Sequence, residues 1–199
     1  MRVLRAGPRA LLIECSDPQA WHSALWRRRE QGLFSADEIV PGERTVLLDG
    51  VDSDLAGDLA DWGPDSDLSL VGETLVEIAT VFDGEDLGFV AAHWDISVEA
   101  VVGRLTETEF TVAFCGFAPG FAYMRGLAPS PAVPRLDAPR PRVPAGSVAL
   151  AGAYAGIYPT ASPGGWRLVG RTDQNLFDVR REPPALLAPG TRVRLAVAR

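Results

Sequence analysis

The chain has 199 residues, 47% of them apolar, and a formal net charge of −7. That length holds one large domain or two small ones, and it buries about 70% of its unfolded surface, enough for a core without covalent staples. The acidity argues against generic nucleic-acid binding. The only two cysteines, Cys15 and Cys115, do not suggest a disulfide scaffold and fit a reducing compartment.

No apolar run approaches the roughly 20 residues that span a bilayer. Ala10-Leu11-Leu12-Ile13 is too short for a signal segment and is ended by Glu14. The expected location is the cytoplasm. The charge is unevenly placed: residues 1–112 hold eight Arg and 22 acids (−14), and residues 113–199 hold 11 Arg and four acids (+7). An acidic first part and a basic second part are expected, the latter suited to a carboxylate, a phosphate or an acidic partner.

In chain order, Arg2–Ala6 and Ala10–Cys15 read as strands around the Gly7-Pro8 turn. Asp17 is an N-cap with Pro18 at the first helical position, and the helix runs to about Gln31 with Trp21 and Leu25 on its apolar face. Arg27-Arg28-Arg29 at its end suit the helix dipole. Ile39-Val40 and Thr45–Leu48 are strand material around Pro41-Gly42, and Leu55, Leu59 and Trp62 predict a short helix from about Ser53 to Asp61. These elements make a small α+β domain over residues 1–82.

Residues 83–199 are expected to form a second domain. Glu73–Phe82 alternates as a strand, Asp83-Gly84 turns, and Glu85–Trp94 reads as a helix. Ser97 caps a further helix, Val98–Leu105. Phe110, Val112 and Phe114 alternate on the buried face of a strand, which places Cys115 on the opposite face. Val148–Leu150, Arg167–Val169 and Val193–Val197 supply more strands. Many short strands between Gly and Pro turns predict a barrel or sandwich. Ala128–Pro144, with six Pro in 17 residues, is read as an ordered extended loop.

Absences narrow the chemistry. His22 and His93 have no metal-ligand spacing to Cys or carboxylate, so no metal site is expected. There is no nucleophile elbow, Walker A loop or dinucleotide fingerprint. Cys115 is read as a packed residue rather than a nucleophile. Glu85 and Asp86, at the start of a helix, are the catalytic candidates: either they answer its dipole, or one of them acts as a general base or binds a substrate ammonium. Arg135, Arg140, Arg142 and Arg171 are the candidate substrate-binding cations, since guanidinium pairs bidentately with carboxylate or phosphate. Tyr123, Tyr158 and Trp166 can line a pocket with one polar edge each, and Ser147 can offer a hydroxyl.

The residues from Cys115 to Thr172 carry a resemblance. In order come Gly116-Phe117-Ala118-Pro119-Gly120-Phe121-Ala122-Tyr123, Pro134-Arg135, Pro139-Arg140, Val143-Pro144-Ala145-Gly146-Ser147-Val148, Gly156-Ile157-Tyr158-Pro159, Ser162-Pro163-Gly164-Gly165-Trp166 and Gly170-Arg171-Thr172. Upstream stands Asp83-Gly84-Glu85-Asp86-Leu87. This ordered set resembles the family of the B-type subunit of 5-oxoprolinase, allophanate hydrolase subunit 1 and the kinase-inhibitor protein KipI. The chain departs from it at Leu105-Thr106, where members often carry a His-Ser pair.

The resemblance implies a cyclophilin-like β-barrel as the C-terminal domain. It also implies membership of an ATP-dependent amidohydrolase complex, foremost a 5-oxoprolinase converting 5-oxoproline to glutamate. ATP would be a co-substrate bound on, or shared with, a partner. The implied partners are the C-type subunit of 5-oxoprolinase, which is like allophanate hydrolase subunit 2, and the A-type subunit. The other readings are an allophanate hydrolase or urea amidolyase-type subunit, and a KipI-like protein that inhibits a histidine kinase.

Overall fold

The computed structural model describes residues 1–52, 54–64, 75–129 and 132–198. It is an α+β chain whose contacts divide it into two units, Met1–Val71 and Gly72–Arg199. This division falls ahead of the expected 82/83 boundary. The reason is a strand at Leu75–Thr80 that pairs residue by residue with the strand Arg192–Val197, and so lies in the second unit's sheet.

In the first unit, strands β1 (Arg2–Gly7), β2 (Ala10–Glu14), β3 (Glu38–Pro41) and β4 (Thr45–Asp49) form an antiparallel sheet in the order β1-β2-β4-β3. Helix α1 (Pro18–Glu30) begins as its sequence dictates. The Asp17 carboxylate accepts from the Ala20 N–H at 3.0 Å, and Pro18 sits where no amide hydrogen is needed. Trp21 and Leu25 of α1 pack on Leu11, Ile13, Val46 and Leu48 of the sheet, together with Leu55 and Leu59 of α2 (Leu55–Asp61). The start expected for α2 at Ser53 lies outside the described residues.

In the second unit, strands β5 (Leu75–Thr80), β6 (Glu109–Cys115), β7 (Ala122–Arg125), β9 (Ser147–Ala151), β10 (Tyr154–Ile157), β12 (Arg167–Arg171) and β13 (Arg192–Val197) form one sheet. Its order is β12-β9-β10-β7-β6-β13-β5. The two outer strands approach each other through a bridge between Val81 and Arg171, which exchange both backbone hydrogen bonds at 2.8 and 2.9 Å. The barrel expected of this domain is therefore present as a nearly closed seven-stranded sheet. Helices α3 (Leu87–Trp94) and α4 (Val98–Glu107) pack on it, α3 against β12 and α4 against β13. Ser97 caps α4 by accepting from the Ala100 N–H at 3.2 Å.

The sheet is covered on both faces. Val148 and Leu150 of β9 enter the main core with Phe110, Met124, Val193 and Leu195, whereas Ala149 and Ala151 of the same strand enter a second cluster with Phe121, Tyr158 and Trp166. That second face is where the short ribbon of β8 (Arg140–Val143) and β11 (Ser162–Gly164) is found. A strand buried on both sides reads as an unbroken apolar run, and Val148-Ala149-Leu150-Ala151 is one.

One expectation for β6 is corrected. The pairing with β7 shifts between Val112 and Phe114, so Ala113 is an extra residue in the strand. A bulge of this kind reverses the faces that follow it. Phe114 therefore leaves the core face and stacks on Tyr123 at 4.3 Å, while Cys115 turns toward the core. The Pro-rich segment is an ordered loop over its described residues. Val133 exchanges hydrogen bonds with Gly152, and the Leu136 N–H donates to the Gly165 carbonyl at 2.8 Å.

Candidate functional site

The aromatic cluster on the outer face of the barrel opens into a cleft of about 250 Å³ lined by Phe117, Phe121, Tyr123, Tyr158, Trp166 and Arg135, with Pro139, Pro163, Gly164 and Gly165. Its floor is built edge to face: Phe121 meets Trp166 at 5.5 Å and 89°, and Tyr158 at 5.3 Å and 78°. Such contacts set ring positions as well as burying area. Two glycines make the floor possible. A Cβ on Gly156 would meet the rings of Phe121 and Trp166 at 2.9 Å, and one on Gly164 would run into the Tyr158 hydroxyl. Burial pushes the Tyr158 phenol above its ordinary pKa, so it stays protonated and keeps a hydrogen to donate.

Arg135 is the cation in this lining. Its guanidinium lies over the Trp166 ring at 5.8 Å, and no carboxylate of the described residues is within ion-pair distance of it. An arginine held by an aromatic face, with its N–H groups uncommitted to a carboxylate, suits a small anion.

The turn at the cleft mouth is unusual. The Ala118 N–H donates to the Gly116 carbonyl at 2.9 Å, which closes a γ-turn around Phe117, and Phe117 has φ of +72°. The next turn is closed by Phe121 N–H donating to Ala118, with Gly120 at φ +83°. For a bulky residue the left-handed region costs about 1–3 kcal/mol. The Phe117 side chain does not recover that cost by burial, since the residue is 60% exposed.

The other charged candidates are engaged elsewhere. Asp86 occupies the cap position of α3 but its side chain makes no cap hydrogen bond. Its buried carboxylate instead accepts from Arg140 Nη2 at 2.8 Å, from the Leu168 N–H at 2.7 Å and from Arg167 Nη1 at 3.4 Å. Glu85 meets Arg140 Nε at 2.7 Å. Arg140 also donates to the Trp166 carbonyl, and Arg167 to the Pro134 carbonyl, while the Arg167 guanidinium stacks 3.7 Å from the Phe89 ring centre. This network ties the start of α3 to β8, to β12 and to the loop that carries Arg135. Its acids are spent on guanidinium groups. In this geometry they hold elements in place.

The structure thus brings Tyr123, Arg135, Tyr158 and Trp166 together and separates the remaining candidates. Arg140 is bound to Glu85 and Asp86 and is not in the cleft lining. Arg142 is exposed on β8. Ser147 is buried at the start of β9, its carbonyl accepting from the Tyr158 N–H at 3.0 Å. Arg171 pairs with Asp83 at 2.9 Å and lines a different, polar hollow of about 290 Å³ where β5 and β12 approach. Reasoning from residue type does not single out Phe117, Phe121 or Arg167. The first two stand in the Gly116–Phe121 motif, which is their available signal. Arg167 has none, because its partner is 81 residues away.

Cys115 is inert here. Its Sγ donates to the Leu187 carbonyl at 3.3 Å, and burial pushes the thiol up to about 11. His93 is engaged with the Ala132 carbonyl at 2.8 Å and stacks on Phe89. Among the described residues no group of His, Cys, Asp or Glu could hold a metal ion, and no helix is long and apolar enough to cross a membrane.

Comparisons with known proteins agree with one another. The family model for the carboxyltransferase domain, subdomain C and D, matches residues 1–187. The B-type subunit of 5-oxoprolinase from Escherichia coli O157:H7 is 38% identical over 200 residues, which span 94% of this chain and 92% of that protein. The crystal structure of TTHA0988 superposes with a TM-score of 0.79 at 34% identity, covering 96% of this chain and 40% of the other. The urea amidolyase of K. lactis shares the fold, with a TM-score of 0.73 at 21% identity over 98% of this chain and 14% of that one.

Proposed function

The chain belongs to this carboxyltransferase-domain family, with the B-type subunit of 5-oxoprolinase among its relatives, and from that premise we propose that it is one component of an ATP-dependent 5-oxoprolinase. The reaction opens the lactam of 5-oxoproline to glutamate. The relatives' naming as one lettered subunit implies companions, so we take the C-type and A-type subunits as the partners. The complex is taken to work in the cytoplasm, with ATP bound on or shared with a partner.

The observation that carries the reading on this chain is Arg135 in the aromatic cleft, with no carboxylate of the described residues beside it. 5-Oxoproline is a small, nearly flat ring with one carboxylate. Arg135 would take the carboxylate through two N–H donors. Phe121, Tyr123 and Trp166 would take one face of the ring, and the protonated Tyr158 hydroxyl would offer a hydrogen to the ligand's rim. Amide opening needs an activated carbonyl. Transfer of the γ-phosphoryl group to the amide oxygen supplies it; water then adds at that carbon, the ring C–N bond breaks with the proton going to the amine, and a second water hydrolyses the resulting acyl phosphate to glutamate and phosphate. The cleft's part in this is to bind and orient.

The test is ATP hydrolysis in a stoichiometric mixture with the C-type and A-type partners, with and without 5-oxoproline. We expect hydrolysis that depends on 5-oxoproline and on this chain. Arg135→Ala should raise KM about 10–100-fold, the worth of a hydrogen-bonded charge pair. An assembled mixture that turns over ATP on allophanate but not on 5-oxoproline would overturn the substrate assignment. A KM unchanged by Arg135→Ala would overturn the site.

A further inference from the structure

We infer that Phe117 is the closing face of the cleft, and that its ring moves down from the strained γ-turn onto the exposed flat side of a bound planar ring bearing a carboxylate. The inference rests on the reading of the cleft as the substrate subsite, and it names a specificity-determining residue for that subsite.

Three observations meet at this residue. The backbone is held at φ +72° in a γ-turn, a conformation that glycine adopts without cost and phenylalanine does not. The side chain gains little from the fold in return, being 60% exposed among the large hydrophobics. It nevertheless lines the cleft, with its ring centre 5.3 Å from Phe121 and 6.1 Å from Tyr158, both edge to face. Strain that is retained without a packing return points to a use beyond the fold itself.

The geometry also says how the face closes. The turn is pinned on both sides, by the Ala118-to-Gly116 and Phe121-to-Ala118 hydrogen bonds and by the Gly116 N–H donating to the Phe121 carbonyl at 3.2 Å. The backbone therefore stays fixed while the exposed ring turns about its side-chain bonds. The floor is already fixed by Trp166 and Phe121, which meet at 89°. A flat ligand with Arg135 on its carboxylate presents one face to that floor and the other to Phe117. A ring of five or six atoms can be covered this way, while a bulky or branched acid would hold Phe117 off.

The experiment compares wild type, Phe117→Gly, Phe117→Leu and Arg135→Ala in the assembled complex. It measures kcat and KM for 5-oxoproline, melting temperature, and co-elution with the partner subunits. We expect Phe117→Gly to melt at or above the wild-type temperature, because the strain is relieved, yet to raise KM about tenfold, as loss of one stacked face implies. Phe117→Leu should lie between the two, with more turnover of branched acids. If Arg135→Ala raises KM but both Phe117 variants keep the wild-type value, the inference is overturned and the cleft reading stands. If Arg135→Ala also leaves KM unchanged, the cleft reading itself fails. If the Phe117 variants keep KM but lose co-elution with a partner, Phe117 is a docking residue and the inference is overturned.

Discussion

Replacing Asp86 by Asn separates a structural carboxylate from a catalytic one. The substitution keeps the shape and removes the charge. In the native chain the Asp86 carboxylate is 8% exposed and accepts two short hydrogen bonds, at 2.8 Å from Arg140 and 2.7 Å from the Leu168 amide, with Arg167 at 3.4 Å. Arg140 and Arg167 are 19% and 15% exposed, so neither regains full hydration when its partner is neutralised. Breaking a buried pair from one side costs about 3–5 kcal/mol. Glu85 still holds Arg140 Nε at 2.7 Å, so the lower end applies, about 3 kcal/mol. For a unit of this size that lowers the melting temperature by about 10 °C. The assay is thermal and urea unfolding of the isolated chain, followed by activity in the assembled complex below the melting point. A melting temperature within about 2 °C of wild type, together with lost turnover, would refute the reasoning and make Asp86 a proton-transfer group after all.

Two further outcomes follow from the same geometry. Gly164→Ala drives a Cβ into the Tyr158 hydroxyl, so it should destabilise the chain by about 1–3 kcal/mol and narrow the cleft, seen as a raised KM with kcat kept; a wild-type KM would count against the cleft. Cys115 tests the main core: its thiol is pushed from 9.0 up to about 11 by burial, so its contribution is present below pH 9 and lost as pH rises from 9 to 11. Two pKa units correspond to about 3 kcal/mol, so the stability gap between wild type and Cys115→Ala should shift by up to that amount across this window, and parallel profiles would show that the thiol is not buried.

Local chemistry was legible, and long-range chemistry was not. Asp17-Pro18 and Ser97 named their helix starts because a cap is a contact over three residues. Val148–Leu150 was visible as a strand because burial on both faces leaves it wholly apolar. Strands β7, β8, β10 and β11 were not predicted. Each is three or four residues long and lies among Gly and Pro that read as turns. The bulge at Ala113 was invisible too, since an extra residue in one strand is defined only by its partner, and it reversed the faces expected for Phe114 and Cys115. The cleft gathers the predicted aromatics and Arg135. The candidate set also included Arg140 and Arg171, because a sequence shows that an arginine is present and not which acid, 54 or 88 residues away, neutralises it.

That neutralisation explains how a chain so rich in arginine presents so little cationic surface at the cleft. Arg140 and Arg167 are consumed by Asp86 and Glu85, and Arg171 by Asp83. All three acids belong to one short run, Asp83-Gly84-Glu85-Asp86, at the entry to α3. The run works as a counter-charge that docks on β12 and on the β8 ribbon, and Gly84 makes the approach possible because a Cβ there would collide with the Leu168 and Val169 backbone. The arginines it holds in turn bond to the carbonyls of Pro134, which precedes Arg135 in the chain, and of Trp166, whose ring lies under the Arg135 guanidinium. The acidic run therefore acts on the cleft at one remove. It fixes the Pro134 and Trp166 backbone on either side of the Arg135 guanidinium.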